Sequence, residues 1–126
     1  MPGMRDFPEA LRAHFDAPHH VGEPPGGADL RGEARNPVCG DHLVIYLACA
    51  DGRVTAAGFR AQGCPAAMAT ASAACSVLEG QPADPALSDA LEPLFTERFG
   101  EPRAAHRHAL ALCVAALQGA LSEDGG

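Results

Sequence analysis

The stretch HLVIYLACA at residues 42–50 constrains this chain more than any other. In an extended strand Leu43, Ile45, Leu47 and Cys49 fall on one face, and Val44, Tyr46 and Ala48 on the other. Asp51-Gly52 follows at once, a dipeptide that closes a two-residue hairpin because its turn needs positive φ. Residues 53–61 (RVTAAGFRA) form the returning strand. Beyond Gln62-Gly63-Cys64-Pro65, residues 66–79 (AAMATASAACSVLE) are Ala-rich with no interior Gly or Pro, which favours helix. Pro65 suits a first helical turn, and Gly80 suits the position just past a helix end.

The rest of the chain fits around this hairpin. Residues 7–16 (FPEALRAHFD) carry Phe7, Leu11, His14 and Phe15 near helical spacing and predict a short N-terminal helix. Residues 17–41 are rich in Pro and Gly and read as loop and edge strand. A helix is expected over about 86–99, bent or broken at Pro93, and another over roughly 106–121. Strands grouped ahead of helices predict an α+β fold, a small antiparallel three-stranded sheet with helices packed on one face. The length of 126 residues suits a single domain over 1–126, with a core about 7–121 and a disordered tail at 122–126.

Composition narrows the function classes. All nine cationic residues are Arg, against sixteen Asp plus Glu, for a net charge of −7. A chain without lysine does no Schiff-base chemistry, holds no phosphate with a Walker-type lysine and has no lysine base. No basic run marks a phosphate-backbone surface, so no nucleic-acid partner is expected. No stretch reaches the roughly 18 apolar residues of a membrane span, and no secretory signal pattern opens the chain. These features predict a cytoplasmic protein with reduced thiols. Five cysteines, an odd number, then read as metal ligation, catalysis or core filling and not as a disulfide framework. Aromatic content of 5% without Trp leaves the core to Ala, Leu and Val.

Three stretches carry candidate chemistry. In Asn36-Pro37-Val38-Cys39-Gly40-Asp41, a thiol and a carboxylate bracket one glycine in a turn before a strand, so both can aim at one point. Cys64 lies where a strand ends and a helix begins, where orphan N–H groups and the helix dipole favour the thiolate. His106 and His108 open the last helix, two apart and so on different faces, and each also reads as an ordinary surface histidine. Cys113 sits in the apolar run of Leu110, Leu112, Val114, Leu117 and Leu121 and reads foremost as core. Cys49 and Cys75 also read as packing; Cys75 is three turns, about 16 Å, beyond Cys64 along the helix.

Taken together, HFDAPHHVGEPP, NPVCGD, the strand–DG–strand hairpin and GC followed by AMATASAACSVLEG resemble the IscU/NifU-type iron–sulfur cluster scaffold family, the SufU-like branch included. The resemblance covers roughly residues 10–121. With no insertion between the Cys64 helix and the last helix, it looks more IscU-like than SufU-like. It implies a small antiparallel sheet with packed helices and a non-enzymatic role. Such scaffolds take sulfur from a cysteine desulfurase, combine it with iron into a 2Fe–2S cluster and pass the cluster to iron–sulfur acceptor proteins. The family ligands carry over to Cys39, Asp41 and Cys64. The His-Cys pair that opens the last helix falls on His108 and Ala109, so the third family cysteine is missing. GEPRAAH stands in place of the family's LPPVK chaperone-recognition stretch.

Two substitutes for that cysteine are open. Cys113 lies one turn, about 5.4 Å, further along nearly the same helix face and is a substitute ligand or sulfur acceptor after a helix shift. Alternatively His108 completes a metal set of Cys39, Asp41, Cys64 and His108, fit for Zn²⁺, iron or a cluster with one imidazole ligand. The His108 version is preferred because it needs no rearrangement. The leading expectation is therefore a scaffold or carrier-like protein that binds iron, a 2Fe–2S cluster or zinc, as monomer or dimer. The alternative is a degenerate zinc-binding regulatory partner of a desulfurase that no longer assembles clusters. A thiol enzyme using Cys64 or Cys39 with His108 as base is the weakest reading, since nothing supplies an orienting group or oxyanion donors.

Overall fold

A computed structural model describes residues 21–36, 40–63, 65–101 and 104–121. Strands β1 (Leu30–Arg35), β2 (His42–Ala50) and β3 (Arg53–Gln62) precede helices α1 (Pro65–Leu78), α2 (Ala86–Phe99) and α3 (Ala104–Leu121). The sheet is antiparallel throughout, in the order β1-β2-β3. This is the α+β architecture expected, with the edge strand now placed at β1. The expected N-terminal helix at 7–16 and tail at 122–126 lie outside the described residues.

The period-2 pattern of the strands sets the layers. Leu43, Ile45 and Leu47 are fully or almost fully buried, and they pair with Ala61, Phe59 and Ala57 of β3 and with Ala34, Gly32 and Leu30 of β1. These side chains meet Ala71, Ala74, Cys75 and Leu78 of α1, Leu91 and Phe95 of α2, and Leu110, Cys113 and Leu117 of α3 in one core. With so few aromatics, alanine lets α1 approach the sheet closely: Ala69, Ala71, Ala73 and Ala74 are all fully buried. Phe95 and Phe99 of α2 pack in a tilted pair, with ring centroids 4.9 Å apart and planes at 46°. Helix α2 runs through Pro93 unbroken, so of the two outcomes expected there a break is excluded.

Helix α3 lies closest to β1. A Cβ at Gly32 would overlap the backbone of Ala116 and Ala120, so glycine alone permits this crossing. At the hairpin end, Asp51 and Gly52 take φ of 54° and 76°, as the Asp-Gly turn requires. That end is tied to the α1–α2 connection: Arg53 donates to Gly80 O at 2.8 Å, and Ala83 N–H to Gly52 O at 2.8 Å. A register shift between Ala48 and Cys49 interrupts the alternation. Cys49, expected in the core, is therefore only half-buried, with its N–H donating to Asp29 Oδ2 at 2.7 Å. Burial, and then the nearby Asp29 charge, push its thiol pKa up.

Candidate metal centre

The opposite end of the sheet carries Asp41, one of the candidate ligands. The pairings Arg35↔His42 and His42↔Gln62 bring the β1–β2 connection and the β3–α1 junction side by side. Asn36 N–H donates to Asp41 O at 2.8 Å and Gly40 N–H to Asn36 O at 2.7 Å, closing the connection into a compact turn. Across the register, Asp41 meets Gly63. A Cβ at Gly63 would stand 2.7 Å from Asp41 Cγ and closer still to Oδ1. Gly63 also has φ of 149°, which side chains rarely adopt. Glycine here therefore gives the Asp41 carboxylate its place against the backbone that enters α1. The sequence reading singled out Cys64 at this junction and missed Gly63, although a glycine between a strand end and a helix start was the available signal.

Cys39 and Cys64 lie outside the described residues, two positions before Asp41 and one after Gly63. Among the described residues no three His, Cys, Asp or Glu side chains gather as a metal site. Asp41 is half-buried, while His108 is exposed on α3. His106, two residues earlier, is buried, in contrast to its surface reading. Ala109, where the third family cysteine was expected, is 6% exposed, and Cys113 is fully buried in the core. Burial pushes the Cys113 thiol up to about 12, so at neutral pH it is a packed apolar group without thiolate character. Cys75 is raised too, chiefly by burial, with further contributions from Cys113 and Glu79.

Comparison with other proteins matches the NifU-like N-terminal domain model to residues 7–123. The chain belongs to that family. Among individual relatives, it is 36% identical over 90 residues to the iron–sulfur cluster assembly scaffold proteins IscU 1 and IscU 2 of Archaeoglobus fulgidus. Those matches take in 71% of this chain and 58% of each relative. Its fold is similar to the crystal structure described as an iron–sulfur cluster assembly scaffold for the SUF system from Fervidobacterium islandicum. The TM-score is 0.66 and identity 15%, with 90% of this chain and 95% of that one covered. It is also similar to the N-terminal part of a nitrogen-fixing NifU-like protein from Brucella abortus. There the TM-score is 0.64 and identity 19%, with 89% of each chain covered. Membership of the NifU-like family thus agrees with the sequence resemblance, and the layered sheet and helices agree with the fold of these neighbours.

Proposed function

We propose that this protein is a scaffold or carrier for iron–sulfur clusters, with cargo held at the β1–β2 end of the sheet by Cys39, Asp41, Cys64 and His108. The observation that carries this reading is the packing of the Asp41 carboxylate against Gly63. It joins the two chain segments that bear Cys39 and Cys64, and each trans peptide step adds only about 3.8 Å between Cα atoms. The donor set of two thiolates, one carboxylate and one imidazole suits iron, a 2Fe–2S cluster or zinc. Carboxylate is the poorer partner for a soft centre, so Asp41 keeps the cargo exchangeable.

Burial supports His108 over Cys113 as the fourth donor. His108 is exposed on α3 and so would meet cargo at the metal end without leaving the core. Cys113 reaches it only by leaving a core in which it is fully buried. In this reading a cysteine desulfurase supplies sulfur, iron–sulfur acceptor proteins take the product, and the chain itself catalyses no reaction.

The buried Ala109 favours a second reading, because a thiolate is missing at the place the family uses. The chain would then be a zinc-stabilised regulatory partner of a desulfurase. Anaerobic reconstitution with ferric iron and sulfide separates the two. A scaffold gains visible sulfide-to-iron absorbance that Cys39→Ala and Cys64→Ala abolish. A colourless protein whose melting temperature still rises with zinc overturns the scaffold reading and supports the second. Zinc binding that survives both cysteine substitutions overturns the site itself.

A further inference from the structure

The face of the sheet turned away from the core helices is ordered as three rows across three strands. The rows are Arg31–Tyr46–Gly58, Glu33–Val44–Arg60 and Arg35–His42–Gln62. Val44, Tyr46 and Gly58 form a short, buried floor, whereas Arg31, Arg35, Arg60 and Gln62 are exposed around it. The result is a groove of about 620 Å³ with a basic rim and an apolar floor. The only carboxylate in the grid, Glu33, is already engaged: His42 Nε2 bonds it, and Arg31 lies 3.6 Å away. The His42 hydrogen bond holds the Glu33 carboxyl below its ordinary pKa.

We propose that this groove docks a carboxylate-rich segment of a partner protein, laid over β2 between Arg31 and Arg35 of β1 and Arg60 of β3, beside the metal end. In a chain of net charge −7, three of nine arginines share one face of a three-stranded sheet. Guanidinium forks match carboxylates in both charge and geometry. Arg31 and Arg35 are four strand residues apart, about 14 Å, farther than one small di- or tricarboxylate reaches. An extended segment with an acidic residue at every second position repeats at about 6.8 Å, which is the spacing of the rows. Nucleic acid fits poorly, since the remaining surface of so acidic a protein repels a phosphate backbone. The rows end at His42 and Gln62, the neighbours of Asp41 and Gly63, so a docked segment lies against the end proposed to carry cargo. Only that last advantage rests on the proposed function; docking itself needs no metal.

The test is fluorescence anisotropy on the metal-free full chain, with a fluorescein-labelled octapeptide of alternating glutamate and serine as probe. Three exposed ion pairs predict a Kd about tenfold weaker in Arg31→Gln/Arg35→Gln/Arg60→Gln, with Arg98→Gln unchanged. Binding should also weaken as salt is raised. Equal binding by the triple variant, or by an all-serine peptide to the wild type, overturns the proposal. Displacement of the probe by equimolar tricarballylate also overturns it, in favour of a small-anion pocket. If the triple variant loses its far-UV circular dichroism, Arg60→Gln alone must still weaken the probe by about twofold. Zinc titration of the triple variant should match wild type, so a failed groove and a failed metal site give different results.

Discussion

The Gly32 crossing yields a pair of substitutions with opposite expected signs. In Gly32→Ala the new methyl overlaps the carbonyl oxygen of Ala116 and the amide nitrogen of Ala120. Both are helix backbone and cannot rotate aside, so α3 must withdraw from β1 by roughly 1 Å or more to restore normal contact. Overpacking costs about 1–3 kcal/mol where side chains can yield, and the upper end applies where backbone meets backbone. At about 4 °C of melting temperature per kcal/mol for a domain of this size, the loss is roughly 10 °C. Gly119 faces the same crossing from the helix side. Its added Cβ would lie 3.6 Å from Gly32 Cα and 3.7 Å from Glu33 N, ordinary contact distances. Gly119→Ala should therefore gain the helix-propensity difference, up to about 1 kcal/mol, and raise the melting temperature by a few degrees. Thermal melts of the metal-free proteins followed by far-UV circular dichroism decide the matter. A Gly32→Ala melt within about 2 °C of wild type, or an equal loss in Gly119→Ala, would show that the crossing is not the tight contact described.

Gly63→Ala should displace the Asp41 carboxylate and weaken zinc by at least about tenfold, roughly the effect of losing a ligand's support, in a competition titration with a chromogenic chelator. His108→Ala should weaken zinc in the same titration while Cys113→Ser leaves it unchanged; the reverse order would move the site one turn down α3. Cys113→Ser should instead lower thermal stability by about 1–3 kcal/mol, because it buries a hydroxyl where a thiol packed. The Cys113 thiol, with its folded pKa raised to about 12, adds stability that is complete below the unfolded pKa near 9 and is lost as pH rises from there toward 12. Its slope approaches about 1.4 kcal/mol per pH unit, so denaturation midpoints between pH 9 and 10.5 should fall more steeply in wild type than in Cys113→Val.

How much of this was legible in the sequence follows from the range of each signal. The Leu43-Ile45-Leu47 alternation and the Asp51-Gly52 turn are local, and they marked the hairpin and its inner face, while the bulge between Ala48 and Cys49 shifts the core pairs by one residue from the register that the turn dictates. Pro93 was a weaker guide, because a proline costs one helical hydrogen bond and a clash, and the apolar face of Leu87, Leu91, Phe95 and Phe99 outweighs them. The bulge beside Cys49 leaves no mark in composition, so that thiol was assigned to the core on alternation alone. Gly32 and Gly63 read as unremarkable glycines because what forbids a side chain at each is a distant segment: the backbone of α3 for one, the carboxylate of Asp41 for the other. The arginine grid was hidden for the same reason, since Arg31-x-Glu33-x-Arg35 becomes a basic rim only when β3 places Arg60 on the same face. At the last helix, periodicity put Ala109 and Cys113 on one face, and His108 was preferred over Cys113 for the proposed metal set only because it needs no rearrangement. The packing separates them physically: the face that holds Ala109, Cys113, Ala116 and Ala120 is the face pressed into the core, and His108 is one position out of phase with it and exposed to solvent. A donor for exchangeable cargo must be reachable from solvent, and of the two groups that could replace the missing cysteine only the imidazole is.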